Sequence, residues 1–311
     1  MYFPYLRGKQ FELIALREIN GLMSQNTAKI SPIIEPVKKS STFKKALLDF
    51  KTKNINFNII INPQVGDLIN AVKEILSILH SSLLGYTNYQ IAIIIQENTK
   101  HEKIIALIKE SQIVVGGISL IHNSVIDNIS EIVSEYEKFF PVVNNIIDFN
   151  KTSRRYYRNF NPKTIVGLDD PFEAQQKNSD YLQTESSPFT EEHLFYAQDN
   201  FKGFSDYLTI GDKYSESGML PFAVAIHLSY EDSKKIRIKH FVSNSNDDRA
   251  DIAGKFAEAL AKLISWCNNH NQTSIGITEF RELYTTGHFP GLGSIKKLSI
   301  MHHIELVLKL I

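Results

Sequence analysis

Carboxylates stand at the ends of several short apolar runs, where they can carry out acid–base or metal chemistry. Glu35 ends one run, Asp148 another, and the pair Asp169 and Asp170 a third. Grouped carboxylates can hold a divalent cation such as Mg²⁺ or Mn²⁺, or they can divide the roles of proton donor and acceptor. We therefore assign Glu35, Asp148 and Asp170 as candidate catalytic residues and candidate metal ligands. Because two adjacent residues rarely both point inward, Asp169 is assigned a binding role.

Two cations follow the first apolar run of the chain, at Arg7 and Lys9. Arginine and lysine recognise phosphate and carboxylate groups through charge-assisted hydrogen bonds. Both residues are therefore candidates for binding an anionic small molecule or a nucleotide. The alternative is structural, because ion pairs from Arg7 to Glu35 or from Lys9 to Asp170 would hold adjacent loops together.

The elements that must position these residues alternate between strands and helices. Continuous apolar runs such as Ile59 to Ile61, within the predicted strand Phe57 to Asn62, and Ile91 to Ile95 are separated by helical stretches such as Leu68 to Leu79 and Lys103 to Lys109. The alternation recurs about eight times and is typical of a parallel sheet with helices on its outer face. It predicts an α/β fold, a (β/α)8 TIM-like barrel with irregular later units. The carboxyl ends of the strands then meet at one mouth.

Two histidines are further binding candidates. His122 ends a predicted strand, and His227 lies inside the apolar run Ala223 to Leu228, where a histidine packed in the core is the alternative. No HExxH motif and no Cys/His spacing typical of a zinc site is present. The sequence therefore identifies no transition-metal site.

The last third of the chain departs from the strand–helix alternation. Two β-rich runs, Phe222 to Tyr230 and Ile236 to Val242, flank a charged turn and predict an antiparallel hairpin. We expect barrel-forming units over residues 1–215, with the hairpin and C-terminal helices of residues 216–311 packed on the barrel in the same structural domain. A long loop over residues 181–214 is rich in aromatic residues, which are favoured in contacts with protein partners.

Composition restricts the partners and the compartment. Lys and Arg total 34, as do Asp and Glu, so the formal net charge is zero and no general field favours nucleic acid or an anionic membrane. No apolar run approaches the roughly 20 residues that span a bilayer. The single cysteine, Cys267, can form no intramolecular disulfide. These features predict a cytoplasmic protein without a membrane segment.

A short basic and aromatic stretch is the one local exception to this balance. It reads Arg154-Arg155-Tyr156-Tyr157-Arg158. Cations combined with stacking rings are typical of proteins that bind single-stranded nucleic acids. A solvated and partly packed loop is the alternative interpretation.

Two groups of sequence strings resemble the phage beta-protein family and, more closely, an uncharacterised bacterial branch related to it. The first group is Tyr5, Arg7-Gly8-Lys9, Glu12, Ala15-Leu16-Arg17-Glu18 and Ser31-Pro32-Ile33-Ile34-Glu35-Pro36-Val37. The second group is Gly203-Phe204-Ser205-Asp206-Tyr207, Ala223-Val224-Ala225-Ile226-His227 and His240-Phe241-Val242-Ser243. The resemblance implies a barrel-like α/β protein encoded near mobile or phage-interaction genes. It supplies no established reaction.

Three functions are consistent with these patterns. The first is an enzyme that acts on a phosphate- or carboxylate-bearing small molecule or nucleotide, with Arg7 and Lys9 binding the anion. The second is a non-catalytic module of phage defence or a mobile element, which would bind a protein through residues 181–214. The third is a nucleic-acid-binding protein that uses Arg154 to Arg158.

Overall fold

The computed structural model of the protein describes residues 1–216 and 220–311. Its strands, in chain order, are β1 (Tyr5–Leu6), β2 (Ile33–Ile34), β3 (Phe57–Ile60), β4 (Tyr89–Ile95), β5 (Gly117–His122), β6 (Val142–Asp148), β7 (Ile165–Asp169), β8 (Ser186–Thr190), β9 (Gly203–Asp206), β10 (Ala225–Asp232) and β11 (Lys235–Val242). Contacts divide the chain into two units.

The α-helices are α1 (Gln10–Glu18), α2 (Asn20–Gln25), α3 (Ser41–Thr52), α4 (Val72–Leu83), α5 (His101–Glu110), α6 (Ile129–Glu137), α7 (Glu192–Phe195), α8 (Ile252–Asn269), α9 (Ile275–Thr286) and α10 (Leu292–Leu310). Short 3-10 helices cover Tyr156–Asn159, Pro162–Thr164 and Asn178–Gln183. Among the described residues, no helix has both the length and the apolar character needed to cross a membrane.

The first unit comprises Met1–Asp170, Glu192–Asp206 and Ile311, and it contains a parallel barrel. Its eight strands follow the order β1-β2-β3-β4-β5-β6-β7-β9. A parallel bridge between Tyr2 and Phe204 joins the last strand to the first and closes the ring. Helices alternate with these strands, so the predicted (β/α)8 TIM-like fold is confirmed.

The barrel strands are apolar on both faces because side chains pack inside the barrel and also under the helices. Ile91, Ile93 and Ile95 of β4 are buried, and so are the intervening Ala92 and Ile94. The helices are amphipathic, and α3 buries Phe43, Ala46, Leu47 and Phe50 along one face. The hydroxyl of Ser40 accepts a hydrogen bond of 3.1 Å from the backbone N–H of Phe43 and so caps the N-terminus of α3.

The second unit comprises Pro171–Glu191 and Tyr207–Leu310. Its three-stranded antiparallel sheet has the order β10-β11-β8, so the predicted C-terminal hairpin is confirmed as β10 and β11. Helices α8, α9 and α10 belong to the same unit, and Leu263, Phe280 and Met301 are fully buried on them.

Residues 181–214 do not form the long loop that the sequence predicts. The stretch contains β8, α7 and β9, and its first residue, Tyr181, is only 4% exposed. The eighth barrel strand, β9, lies within this stretch and covers only Gly203–Asp206. The aromatic residues attributed to a contact surface are therefore partly committed to the fold itself.

Candidate functional site

A buried hydrogen-bond network identifies the inner face of the barrel. The amide oxygen of Asn58 on β3 accepts from the hydroxyl of Ser119 on β5 at 2.5 Å, and from the amide of Asn144 on β6 at 3.2 Å. Because β4 separates β3 from β5, these side chains can meet only on the concave side of the sheet. Asn58, Ser119 and Asn144 therefore point into the barrel.

Successive side chains of a strand point to opposite faces, so the inner face can be followed to the carboxyl end of each strand. We call this end the barrel mouth. Charged or amide side chains continue the inward phase at the carboxyl ends of six strands. They are Arg7 after β1, Glu35 after β2, Gln96 after β4, Asn123 after β5, Asp148 at the end of β6 and Asp170 after β7. Four of the six are residues that the sequence analysis selects.

Glu35 is fully buried and is held by three hydrogen-bond donors. One carboxylate oxygen accepts from the Tyr5 hydroxyl at 2.7 Å and from the Arg7 guanidinium. The other oxygen accepts from the backbone N–H of Gln64 at 2.7 Å. These donors come from β1 and from the loop after β3, so the carboxylate is fixed between its two neighbouring strands. The Arg7–Glu35 ion pair anticipated as the structural alternative is present.

Glu12 is a second buried carboxyl beside the Arg7-Gly8-Lys9 turn, and the sequence analysis did not select it as a site residue. It is 4% exposed, and its Oε2 atom has no hydrogen-bond partner among the described residues. Burial raises the pKa of Glu12, although hydrogen bonds from the backbone of Lys9 and Arg7 and the charges of those residues oppose the shift. Glu12 stands three residues after Lys9, the N-cap residue of α1. Glutamate is common at this position because it caps the helix, and this spacing is the sequence feature that could have identified Glu12.

Asp148 is the centre of a second polar group, at the carboxyl ends of β6 and β7. One of its oxygens accepts from the backbone N–H of Asn150 at 3.0 Å, and the other lies 3.2 Å from the ammonium of Lys151. The amide of Asn150 also donates to Asp169 at 2.7 Å. Asp169 accepts a further bond, of 2.8 Å, from the backbone N–H of Asp170. Asn150 therefore links the loop after β6 to the end of β7.

The candidate metal ligands do not form a metal site. Within the described residues, no group of three or more His, Cys, Asp or Glu side chains is arranged to hold a metal ion. Glu35, Asp148 and Asp170 thus share the inward phase of their strands without forming a three-carboxylate set. The divalent-cation hypothesis gains no support from this arrangement.

His122 lies on the opposite face of its strand from the inward Ser119 and Ile121. It is fully buried, and its Nε2 atom lies 3.1 Å from the amide oxygen of Asn145. The ring contacts Tyr156 and Phe160, at centroid distances of 5.7 and 4.6 Å. Burial lowers the pKa of His122 to about 4. The structure therefore places His122 in the layer outside the strands and not with the mouth residues.

His227 belongs to the second unit. It is paired with His240 across β10 and β11, with their Nδ1 atoms 2.8 Å apart. The Nε2 atom of His240 lies 3.0 Å from the hydroxyl of Ser187 on β8, and the ring of Tyr181 packs against both histidines. Burial, aided by nearby positive charge, lowers the pKa of His227 to about 3 and that of His240 to about 4. Both values lie too low for a proton acceptor at neutral pH.

The charged inward residues at the mouth are one guanidinium, paired with Glu35, and the carboxylates of Glu35, Asp148 and Asp170. No protein-family model matches this chain, and no curated protein shows a significant similarity to it. The resemblance to the phage beta-protein family accordingly stays a prediction.

Proposed function

We propose that the protein is an enzyme whose barrel mouth carries out acid–base chemistry on a small molecule bearing a phosphate or a carboxylate. One observation carries the proposal. The inward side chains at the carboxyl ends of β1, β2, β6 and β7 are charged, and they are Arg7, Glu35, Asp148 and Asp170. In TIM-like barrels this end of the sheet is where active sites are built.

Stability alone does not account for these charges. Glu35 is fully buried and Asp148 is only 1% exposed. Removing an ion pair from water costs several kcal/mol per ion, and apolar residues of similar volume often serve a fold equally well. The layers of a TIM-like barrel are normally filled by branched apolar side chains. A charged layer at the mouth is therefore better explained by a ligand than by folding.

The carboxyls of the mouth differ in environment, which suits a division of labour between proton donor and proton acceptor. Both oxygens of Glu35 are oriented by fixed donors. Burial also raises the pKa of Glu12, which lies on α1 beside the Arg7-Gly8-Lys9 turn. Asp148 and Asp170 are the proposed proton acceptors, because they stand on adjacent strands at the inward positions.

The cations beside these carboxyls define the substrate class. Arg7 and Lys9 follow β1, and Lys151 follows β6. Guanidinium and ammonium groups bind phosphate and carboxylate through charge-assisted hydrogen bonds. The proposed substrate is therefore a small anion, such as a nucleotide, a sugar phosphate or a carboxylic acid.

The test is a thermal-shift screen of the purified chain against nucleotides, sugar phosphates and dicarboxylates, followed by turnover assays on any ligand that binds. A ligand that binds the folded state raises the melting temperature. Lys9→Met should abolish the shift, whereas Lys45→Met on the exposed face of α3 should not. Asp148→Asn should retain binding and lose turnover. The proposal fails if no compound of these classes raises the melting temperature, or if Lys9→Met responds like the wild type.

A further inference from the structure

The segment between β6 and β7, residues 149–164, has an uneven charge distribution. It contains five basic residues and no acidic residue, although the chain as a whole has zero formal net charge. We call it the basic segment. Its cations are Lys151, Arg154, Arg155, Arg158 and Lys163.

The cations of the basic segment face solvent and are mostly uncompensated. All five residues are exposed. Lys151 is 3.2 Å from Asp148, but the side chains of the other four form no ion pair or hydrogen bond with any described residue. Each arginine offers five N–H donors in a planar fork that matches the geometry of a phosphate group. Four uncompensated cations within ten residues are a surface suited to a polyanion.

Buried aromatic rings hold this segment in place. Tyr156 is 3% exposed, and its hydroxyl lies 3.3 Å from Nδ1 of His122. Phe160 packs on the same histidine, and Tyr157 packs edge-on against Phe201 at 5.6 Å. The cations are therefore displayed from an ordered support, which reduces the entropy lost on binding. The same packing removes Tyr156 from the set of rings that could stack on a base, because its ring is buried.

We propose that the basic segment binds the phosphodiester backbone of a nucleic acid, without reading its sequence. The four uncompensated cations supply phosphate contacts, and the buried rings of Tyr156 and Phe160 cannot stack on a base. Backbone contacts of this kind confer affinity and register but no base preference. The proposal is independent of any reaction at the barrel mouth, since it needs neither Glu35 nor Asp148.

The test is fluorescence anisotropy with labelled oligo(dT) and oligo(dA) over a range of salt concentrations. For four phosphate contacts with a single strand, affinity should fall roughly 50-fold between about 50 and about 200 mM salt. Arg154→Ala combined with Arg155→Ala leaves two contacts, and the fall should then be roughly 7-fold. The two oligonucleotides should bind equally well.

A matched control removes the same charge elsewhere on the first unit. Lys44→Ala combined with Lys45→Ala changes two adjacent exposed cations on α3 and should leave the salt dependence unchanged. Tyr156→Phe keeps the anchoring ring and should bind like the wild type. The proposal is overturned if the chain does not bind either oligonucleotide at low salt. It is also overturned if the control pair weakens binding as much as the arginine pair, or if oligo(dA) and oligo(dT) differ strongly in affinity.

Discussion

Arg7 and Glu35 form an ion pair at the inward positions of two consecutive barrel strands. The Arg7 guanidinium donates to the same carboxylate oxygen that accepts the Tyr5 hydroxyl. The Arg7 side chain is 12% exposed and that of Glu35 is fully buried. The pair therefore links the end of β1 to the end of β2, in a region from which water is largely excluded.

Removing one partner of this pair should destabilise the fold, because the other charge would stay buried. We expect Arg7→Met to lower the free energy of unfolding by about 3 kcal/mol. Glu35→Leu should have a similar effect, and the double variant should lose clearly less than the sum of the two. Urea unfolding of the four proteins measures this coupling. Additivity within about 0.5 kcal/mol would show that the two residues do not depend on each other.

Gly8, between Arg7 and Lys9, should be intolerant of a side chain for two separate reasons. Its φ is +62°, and an added Cβ would lie 2.8 Å from the backbone oxygen of Glu35. Gly85 has a similar φ of +77° but no heavy atom within 4 Å of its Cβ position, so it isolates the backbone effect. We expect Gly85→Ala to cost about 1 kcal/mol, and Gly8→Ala to cost about 1–3 kcal/mol more because of the close contact. Thermal unfolding compares the two, and equal costs would contradict the close approach.

The Asn58 side chain should be essential to the barrel interior. It donates to the Ser31 hydroxyl at 2.9 Å, and it accepts from Ser119 and Asn144. Asn58→Ala leaves several buried polar atoms without partners and should cost about 3 kcal/mol. Asn88→Ala, which removes a half-buried amide whose bond to the Asn54 backbone is exposed to solvent, should change stability by less than about 0.5 kcal/mol. Chemical denaturation of both variants tests this, and a small effect at Asn58 would mean that water replaces its hydrogen bonds.

The histidine pair of the second unit should make stability fall in mild acid. The pKa of His227 is lowered to about 3 and that of His240 to about 4, so both stay neutral in the folded chain when the unfolded chain is already protonated. The contribution of the two neutral histidines to the free energy of unfolding is complete above about pH 6.5. It is lost as the pH falls toward 4, at up to about 1.4 kcal/mol per pH unit for each histidine.

Replacing one member of this pair should flatten the pH dependence. The free energy of unfolding of His227→Leu, measured by urea titration between about pH 7 and pH 4, should decline less steeply than that of the wild type. The exposed His288 supplies the control, as His288→Leu. An equal flattening by both variants would show that the acid sensitivity does not arise at the pair.

The barrel was readable from the sequence because each strand and helix has a local signature. Continuous apolar runs of the kind found in β4 require cover on both faces, which only helices outside a parallel sheet provide. The sequence also showed which polar residues stand at strand ends, because each apolar run stops at a polar residue. The antiparallel hairpin of β10 and β11 was also visible, since its strands are joined by a short charged turn.

The same apolar runs concealed which residues face inward. When both faces of a strand are apolar, the sequence does not show which alternate residues face the barrel interior. A shift of one residue then exchanges the inner and outer faces. Asp148 and the neighbouring Asp170 fall on the inward phase, whereas His122 and Asp169 fall one residue out of it. Strand β8 was missed because its partner, β11, lies about fifty residues later, and such a pairing leaves no local signature.

The sequence by itself determined the strand–helix alternation, the placement of charge at the strand ends and the charge imbalance of the basic segment, because these depend only on residue order. The tertiary structure decided which of two consecutive residues enters the barrel, and that Glu12 is buried beside the Arg7 turn. It also decided that Tyr156 anchors the basic segment instead of facing solvent. These outcomes depend on neighbours distant in the chain, which set the burial and the electrostatic environment of each side chain.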